Sequence, residues 1–203
     1  MSRSSLQRAS IFLILLALSL VIGAQPAAIR WTPGTTIRVW IDSADAPAGA
    51  APLVERALAT WTTALDGAVT LRRTNARTDA DIRVRFPRSH GEFGETMPRI
   101  DPRTGAIVAA DVTIANDTAG GDDPLLQRIV VYLTALHELG HALGLRHTDT
   151  FADIMYRFQR PDDGERYFGA YRRKLKSPDD IGSKQASGLS PNDLSVLRQL
   201  YGR

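Results

Sequence analysis

Three of the four histidines in this 203-residue chain fall within one short segment, HELGHALGLRH, at positions 137–147. His137 and His141 are four residues apart, so a helix would place both imidazoles on one face, one turn apart. Two imidazoles in that arrangement can bind one ion at a distance of about 2.0–2.1 Å without distorting the helix. The spacing therefore predicts a helix that carries two metal ligands.

The residues around these histidines predict how the site is completed. Gly144 is expected to end the helix, because glycine accepts the left-handed conformation that closes a helix C-terminus. The chain can then turn back and present His147 from outside the helix. Three neutral imidazoles leave the fourth tetrahedral position for water, which is typical of a catalytic rather than a structural site. Glu138 can reach that water as a general base.

Apolar periodicity predicts a mixture of strands and helices around this motif. Alternating residues predict strands at 36–41, 69–73, 81–86 and 108–115. Apolar residues at three- and four-residue spacing predict a helix over 52–65 and a longer one over 124–143, with Asp123 as its N-cap. Residues 101–105 have the composition of a turn. A single domain of about 175 residues is expected.

The N-terminus has the composition of a secretory signal peptide. Arg3 and Arg8 precede a twelve-residue apolar run at 11–22, which is followed by small residues. The run is shorter than the roughly 20 residues that a transmembrane helix needs. We expect a signal peptide at 1–28, an exported domain at 29–203, and no stable membrane insertion after its removal. The alternative is that the segment remains as an N-terminal membrane anchor.

Composition excludes several other classes of protein. The chain contains no cysteine, so it has no disulfide, no thiolate metal ligand and no cysteine nucleophile. Its net charge is +3, and without Arg3 and Arg8 the chain has 23 basic against 22 acidic side chains. This balance argues against nucleic acid as a partner, because such binders concentrate positive charge on one surface.

The segment at 137–147 resembles the HExxHxxGxxH signature of the metzincin zinc peptidases, and within them the matrixin branch. Met155, followed by Tyr156, is similar to the family's Met-turn. LSPNDL at 189–194 and LYG at 200–202 are similar to its C-terminal helix. The resemblance implies an α+β, zincin-like fold: a twisted mixed β-sheet, a long active-site helix, a Met-turn and a C-terminal helix.

The same resemblance implies a role for each matching residue. The ligands of a catalytic Zn²⁺ would be His137, His141 and His147. Glu138 would be the general base, and Met155 would form an apolar floor beneath the ligands without binding the metal. Asp193 would brace the Met-turn. A simpler interpretation of Asp193 is a capping residue three positions after Ser190, and both interpretations can hold together.

The resemblance also implies how a substrate is bound. Residues 109–112 match the edge strand along which an extended peptide would bind. The segment at 158–188 takes the place of the loop that borders the specificity pocket. We expect its many basic residues to be solvated surface, and we hypothesise that they favour acidic or polar groups near the cleaved bond.

A structural Ca²⁺ site is common in the family, although no spacing in this chain is diagnostic of one. The candidate oxygen donors are Asp101, Asp111, Asp117, Asp122 and Asp123.

These features predict a secreted, monomeric zinc metalloendopeptidase that acts on proteins or peptides. The metal would polarise the scissile carbonyl group, and Glu138 would move a proton from water to the leaving amine. The alternative is an exported zinc-binding or adhesive module without significant turnover. The intact Glu138 argues against it, because a site that only holds a metal does not need that base.

Overall fold

A computed structural model describes residues 28–88, 91–117 and 123–202, so the proposed signal peptide lies almost entirely outside the described residues. Five strands and four α-helices follow in chain order: β1 (Thr36–Ile41), α1 (Ala50–Leu65), β2 (Thr70–Arg73), β3 (Ile82–Arg85), β4 (Gly94–Ile100), β5 (Ile107–Ile114), α2 (Pro124–Ala142), α3 (Asp163–Arg172) and α4 (Pro191–Tyr201). The four strands and two helices expected from periodicity are present, with ends that differ by one or two residues. None of the helices in these ranges is long and apolar enough to cross a bilayer.

The strands form one mixed sheet in the order β2-β1-β3-β5-β4. The first four are parallel to one another, whereas β4 runs antiparallel to β5 and forms one edge, opposite the edge formed by β2. The expectation that 109–112 would be the edge strand is therefore wrong, because β5 lies between β3 and β4. Strand β4 was not predicted, since its sequence, GETMPRI, lacks an alternating apolar pattern and most of it is exposed.

Helices α1 and α2 pack together on one face of this sheet. The sheet contributes fully buried aliphatic side chains such as Ile37, Val84 and Val112. Trp61 of α1 is also fully buried, and its indole N–H donates to the carbonyl oxygen of Leu136 in α2 at 2.9 Å. This bond satisfies the one polar atom of a large core side chain and fixes α2 against α1.

Helix α2 begins and ends where its sequence predicts. The Asp123 side chain accepts hydrogen bonds from the N–H groups of Leu125 and Leu126, and Pro124 occupies the first turn, where its missing N–H costs nothing. Gly144 follows the helix with a φ of 99°, and a Cβ at this position would lie 2.3 Å from the Ile29 carbonyl oxygen. Both the backbone angle and the close approach require glycine here.

Helix α4 closes the domain next to the end of α2. Ser190 and Asp193 form a capping box, in which each side chain accepts from the other residue's N–H group. The Tyr201 hydroxyl donates to the Leu143 carbonyl oxygen at 2.9 Å. The C-terminal helix thereby satisfies a carbonyl group that the end of α2 leaves without an intrahelical partner.

Candidate active site

The three histidines converge on one point at the end of α2. The Nε2 atom of His147 lies 3.2 Å from Nε2 of His137 and 3.1 Å from Nε2 of His141. Two ligands at about 2.0–2.1 Å from one ion in tetrahedral geometry would be about 3.3–3.4 Å apart. Within the described part of the chain, this triad is the only group of three or more histidine, cysteine, aspartate or glutamate side chains that lie close enough to share an ion.

Backbone carbonyl groups set the tautomers of the two helical histidines. His137 Nδ1–H donates to the Ile154 carbonyl oxygen at 2.6 Å, and His141 Nδ1–H donates to that of Leu145 at 2.9 Å. A carbonyl oxygen can only accept, so each Nδ1 carries the proton and each Nε2 presents a lone pair. Converging lone pairs repel one another, and a cation among them removes that repulsion. The donor set therefore fits Zn²⁺.

The surroundings keep the three imidazoles neutral. Burial lowers the pKa of His137 to about 4, and repulsion from His141 acts in the same direction. Burial also lowers the pKa values of His141 and His147, and the nearby Arg157 lowers that of His147 further. Neutral imidazole is the form that binds a metal, so the site is ready for an ion at neutral pH.

Glu138 lines the same cleft as the histidines, although only 6% of its surface is exposed. Burial raises the pKa of its carboxyl group to about 7, and repulsion from Glu92 and Glu95 adds to this effect. A hydrogen bond from Thr96 opposes the shift. A carboxyl group whose pKa lies near neutrality can both accept and return a proton, which general acid–base catalysis requires.

Met155 lies beneath the histidine-bearing helix and is 1% exposed. A Cβ added at Gly140, between the two helical histidines, would lie 2.5 Å from Met155 Sδ and 3.1 Å from the Trp61 ring. The thioether therefore packs directly against the helix backbone, at a position where a Cβ would displace it.

Asp193 makes contacts that correspond to both interpretations of its role. Its Oδ2 atom accepts from the Ser190 N–H group at 2.8 Å, which caps α4, and from the Ile154 N–H group at 2.9 Å. Ile154 in turn accepts the hydrogen bond from His137 Nδ1. The carboxylate is thus linked to the first histidine through a single residue that precedes Met155.

The cleft in front of the histidines has a volume of about 490 Å³ and an aromatic wall. Phe158, Tyr167 and Phe168 line it from the segment at 158–188, and Phe93 lines it from the residues before β4. The Phe93 ring lies edge-on to Phe168, with 5.1 Å between the centroids. Edge-to-face contacts of this kind are favourable for aromatic rings, and they give this part of the cleft an apolar surface.

The basic residues of that segment are not among those that line the cleft, and their effect on specificity stays a prediction. They are Arg160, Arg166, Arg172, Arg173, Lys174, Lys176 and Lys184, and all are exposed, in agreement with the solvated-surface interpretation. Arg166 pairs with Asp163, and Arg172 pairs with Asp123. The segment forms α3, which buries its aromatic face and exposes its basic side chains.

Sequence reasoning missed two buried carboxylates that hold the segment around Met155. Asp153 accepts hydrogen bonds from the side chains of Thr148, Ser190 and Asn192. Asp163 accepts from the Tyr156 hydroxyl at 2.8 Å. Neither residue belongs to a sequence pattern that predicts burial, and the Ser190 and Asn192 partners of Asp153 are brought to it by folding.

The candidate calcium ligands are not gathered into a cluster among the described residues. Asp101 caps the β4–β5 turn by accepting from the Arg103 N–H group, and Asp123 caps α2. Asp122 lies outside the described residues. Calcium binding therefore stays a prediction.

The family model described as matrixin, a peptidase family, matches residues 36–202. The matched region extends from β1 to the end of α4 and includes every candidate site residue. No curated protein matches the sequence significantly.

Proposed function

The chain belongs to the matrixin family of zinc-dependent metallopeptidases, and we propose on this premise that it is an exported endopeptidase whose general base is Glu138. The family match and the mixed sheet with its long helix confirm the α+β metzincin fold expected from the sequence. The single observation that carries the proposal is the convergence of three histidine Nε2 atoms beside a buried glutamate in an open cleft.

The residues that would hold zinc are His137, His141 and His147. The ion, when bound, supplies Lewis-acid chemistry that polarises a carbonyl oxygen and acidifies water. In the proposal Met155 provides the packed floor below these ligands, and Asp193 braces the segment that carries it. The hydrogen bonds from the Ile154 N–H group to Asp193 and from His137 Nδ1–H to the Ile154 carbonyl oxygen support this arrangement.

Glu138 performs the proton transfers in the proposed reaction. Its carboxylate takes a proton from the attacking water as the new C–O bond forms. It then delivers that proton to the amide nitrogen as the C–N bond breaks, which releases a neutral amine. The apolar surroundings that raise the pKa of Glu138 favour the intermediate in which it holds the proton.

The cleft also indicates the kind of peptide that is cleaved. Strand β4 runs at the sheet edge beside the cleft, and an extended peptide can add to such an edge through main-chain hydrogen bonds. Phe93, Phe158 and Phe168 form the wall next to it. We therefore expect a large apolar side chain beside the cleaved bond.

Export is proposed from the N-terminal sequence alone. Arg3 and Arg8, followed by the apolar run at 11–22, have the pattern of a cleaved secretory signal. The alternative is that this segment stays attached and anchors the domain to a membrane. Mass spectrometry of the protein recovered from an exporting host distinguishes a shortened chain from an intact one.

The test of the activity is cleavage of a diverse peptide library by the purified protein, with and without a zinc chelator. We expect chelator-sensitive cleavage that zinc restores, next to large apolar residues. Glu138→Ala should bind zinc like the parent but lose about 10²–10⁴-fold in rate, because only proton transfer is removed. His141→Ala should lose the metal itself, because a ligand is missing.

Glu165→Ala provides the matched control, since Glu165 is an exposed glutamate on α3 outside the cleft. Its activity should equal that of the parent. Substantial chelator-sensitive activity in Glu138→Ala would show that this glutamate is not the base. A parent protein that binds zinc but cleaves nothing in the library would favour the zinc-binding module.

A further inference from the structure

Two residues of the edge strand contact the Glu138 side chain from the sheet. Gly94 and Thr96 are paired with Ile114 and Val112 of β5, which are fully buried, so both face the helices. A Cβ at Gly94 would lie 2.8 Å from Glu138 Cγ, which shows how closely the strand backbone passes the side chain. Two residues further along the strand, Thr96 contacts the carboxylate.

The Thr96 hydroxyl lies between two acceptors of the same residue. Its Oγ1 atom is 2.7 Å from Glu138 Oε2 and 2.8 Å from the Glu138 carbonyl oxygen. A hydroxyl group has one proton to donate and lone pairs with which to accept. It can donate that proton to Oε2 of the carboxylate, and Oε2 remains an acceptor when a proton is added to Oε1. The hydrogen bond from Thr96 to Oε2 can therefore persist in both forms through which the base passes in a reaction.

This contact distinguishes the two carboxylate oxygens. Oε2 is held by Thr96, whereas no residue in the described ranges donates a hydrogen bond to Oε1. We propose that Thr96 is a positioning residue for the base, which fixes Oε2 and leaves Oε1 to take the proton from water. The proposal rests on the proposed function of Glu138 and extends it to a residue of another element.

The placement of Thr96 on β4 gives this contact a consequence beyond stability. The strand that holds the base is also the strand whose free edge lies beside the cleft. The orientation of the base therefore depends on the position of β4 relative to α2. If Thr96 only packed against Glu138, its methyl group would be the important part of the side chain. If Thr96 positions the base, its hydroxyl group is the important part.

Three variants separate these roles: Thr96→Val, Thr96→Ser and Thr113→Val. Valine keeps the shape of threonine without the hydroxyl, and serine keeps the hydroxyl without the methyl group. Thr113 is the matched control on β5, because its hydroxyl donates to the Glu95 carbonyl oxygen and not to Glu138. All three, with the parent, are measured for kcat, KM and zinc content on one peptide substrate.

Thr96→Val should lower kcat by about 10- to 100-fold, as loss of an outer hydrogen-bond partner commonly does at such sites. KM and zinc content should stay near the parent values, because substrate contacts and metal ligands are unchanged. Thr96→Ser should recover most of kcat, and Thr113→Val should match the parent. An unchanged kcat in Thr96→Val would overturn the proposal. A kcat in Thr96→Ser as low as that in Thr96→Val would overturn it as well.

Crystal structures of the parent, Thr96→Val and Thr96→Ser give a readout that does not depend on activity. The Glu138 carboxylate should keep the parent's orientation in the serine variant and rotate or occupy several orientations in the valine variant. The same carboxylate orientation in valine and parent would refute positioning by Thr96. A parent that does not cleave peptides would contradict the proposed function alone, because the crystal structures would still decide the role of Thr96.

Discussion

Asp163 is a single residue that fixes the chain after Met155. It is 1% exposed, and its Oδ2 atom accepts from the Tyr156 hydroxyl and from the N–H groups of Gln159 and Arg160. These donors stabilise the charged form, and the bond from Gln159 contributes most to a pKa below the ordinary value of 3.8. The carboxylate thus organises the turn that leads from the cleft into α3.

Asp163→Asn should destabilise the protein at neutral pH, because a neutral amide oxygen accepts the three hydrogen bonds to Oδ2 more weakly than a carboxylate, and the NH₂ group cannot accept from Arg166. The folded pKa of Asp163 is below its unfolded value, so its contribution is complete above 3.8 and is lost as pH falls through the folded pKa. The difference in urea midpoint between parent and variant should therefore shrink in acid. Urea denaturation from neutral pH to well below 3.8 measures this.

Asp162→Asn is the control at the neighbouring position, because Asp162 is exposed and makes only a distant contact with Arg166 at 3.9 Å. Exposed pairs of this kind contribute little to stability. Its urea midpoint should follow the parent at every pH. A gap between parent and Asp163→Asn that stayed constant down to the most acidic point would contradict the linkage argument.

At the scale of elements, the site depends on how closely β4 approaches α2. A Cβ at Gly94 would lie 2.8 Å from three atoms: Glu138 Cγ, Thr134 Cγ2 and the Thr113 carbonyl oxygen. Two of these belong to α2 and one to β5, so the glycine lies where the strand edge and the helix meet. The absence of a side chain there allows Thr96 to reach the Glu138 carboxylate.

Gly94→Ala should separate the strand from the helix. Overpacking of this kind commonly costs about 1–3 kcal/mol in stability. We expect a lower kcat with zinc content unchanged, because Glu138 and Thr96 move while the histidines stay in place. Thermal unfolding, steady-state kinetics and metal analysis of the same preparation check these expectations.

Gly169→Ala tests the same chemical change where there is room for it. Gly169 lies within α3, and a Cβ there would meet only the Arg173 guanidinium at 3.6 Å. Alanine in a helix interior is commonly about 0.5–1 kcal/mol more favourable than glycine. If Gly94→Ala behaved like Gly169→Ala, the close approach of β4 to α2 would not be needed.

At the scale of the whole molecule, the geometry of the histidine triad depends on parts of the chain outside its own segment. His137 and His141 lie on α2, His147 follows it, and the carbonyl group that orients His137 belongs to Ile154. Asp193 of α4 supports Ile154 in turn. An ion bound at this point would stabilise only the folded chain, because the unfolded chain does not hold the three nitrogens together.

Zinc should therefore raise the thermal stability of the protein. A ligand at 1,000 times its Kd contributes about 4 kcal/mol, which corresponds to an increase in Tm of about 8–16 °C for a domain of this size. Differential scanning calorimetry with zinc and with chelator measures the shift. His141→Ala should show little increase in Tm with zinc. Equal Tm values for the zinc-loaded and chelated parent would refute the proposed stabilisation by the ion.

The local features of the site followed from sequence, because they depend on residues within a few positions of each other. The i, i+4 spacing of His137 and His141, the glycine stop at Gly144 and the Asp123 cap are consequences of helix geometry. The buried strands followed from alternation for the same reason. The resemblance to matrixins added the expected fold, which the family match confirms.

Only the tertiary structure decided which strand forms the edge and which residues surround Glu138. Strand β4 is exposed and includes a proline, so it has no apolar pattern to identify it. Thr96 and Glu138 are 42 positions apart, and Asp193 lies 39 positions from Ile154. The aromatic wall likewise joins Phe93 to Phe168. Such pairs meet because packing of the sheet, helices and loops removes apolar surface from water. Local sequence propensity does not predict which distant residues this packing brings together.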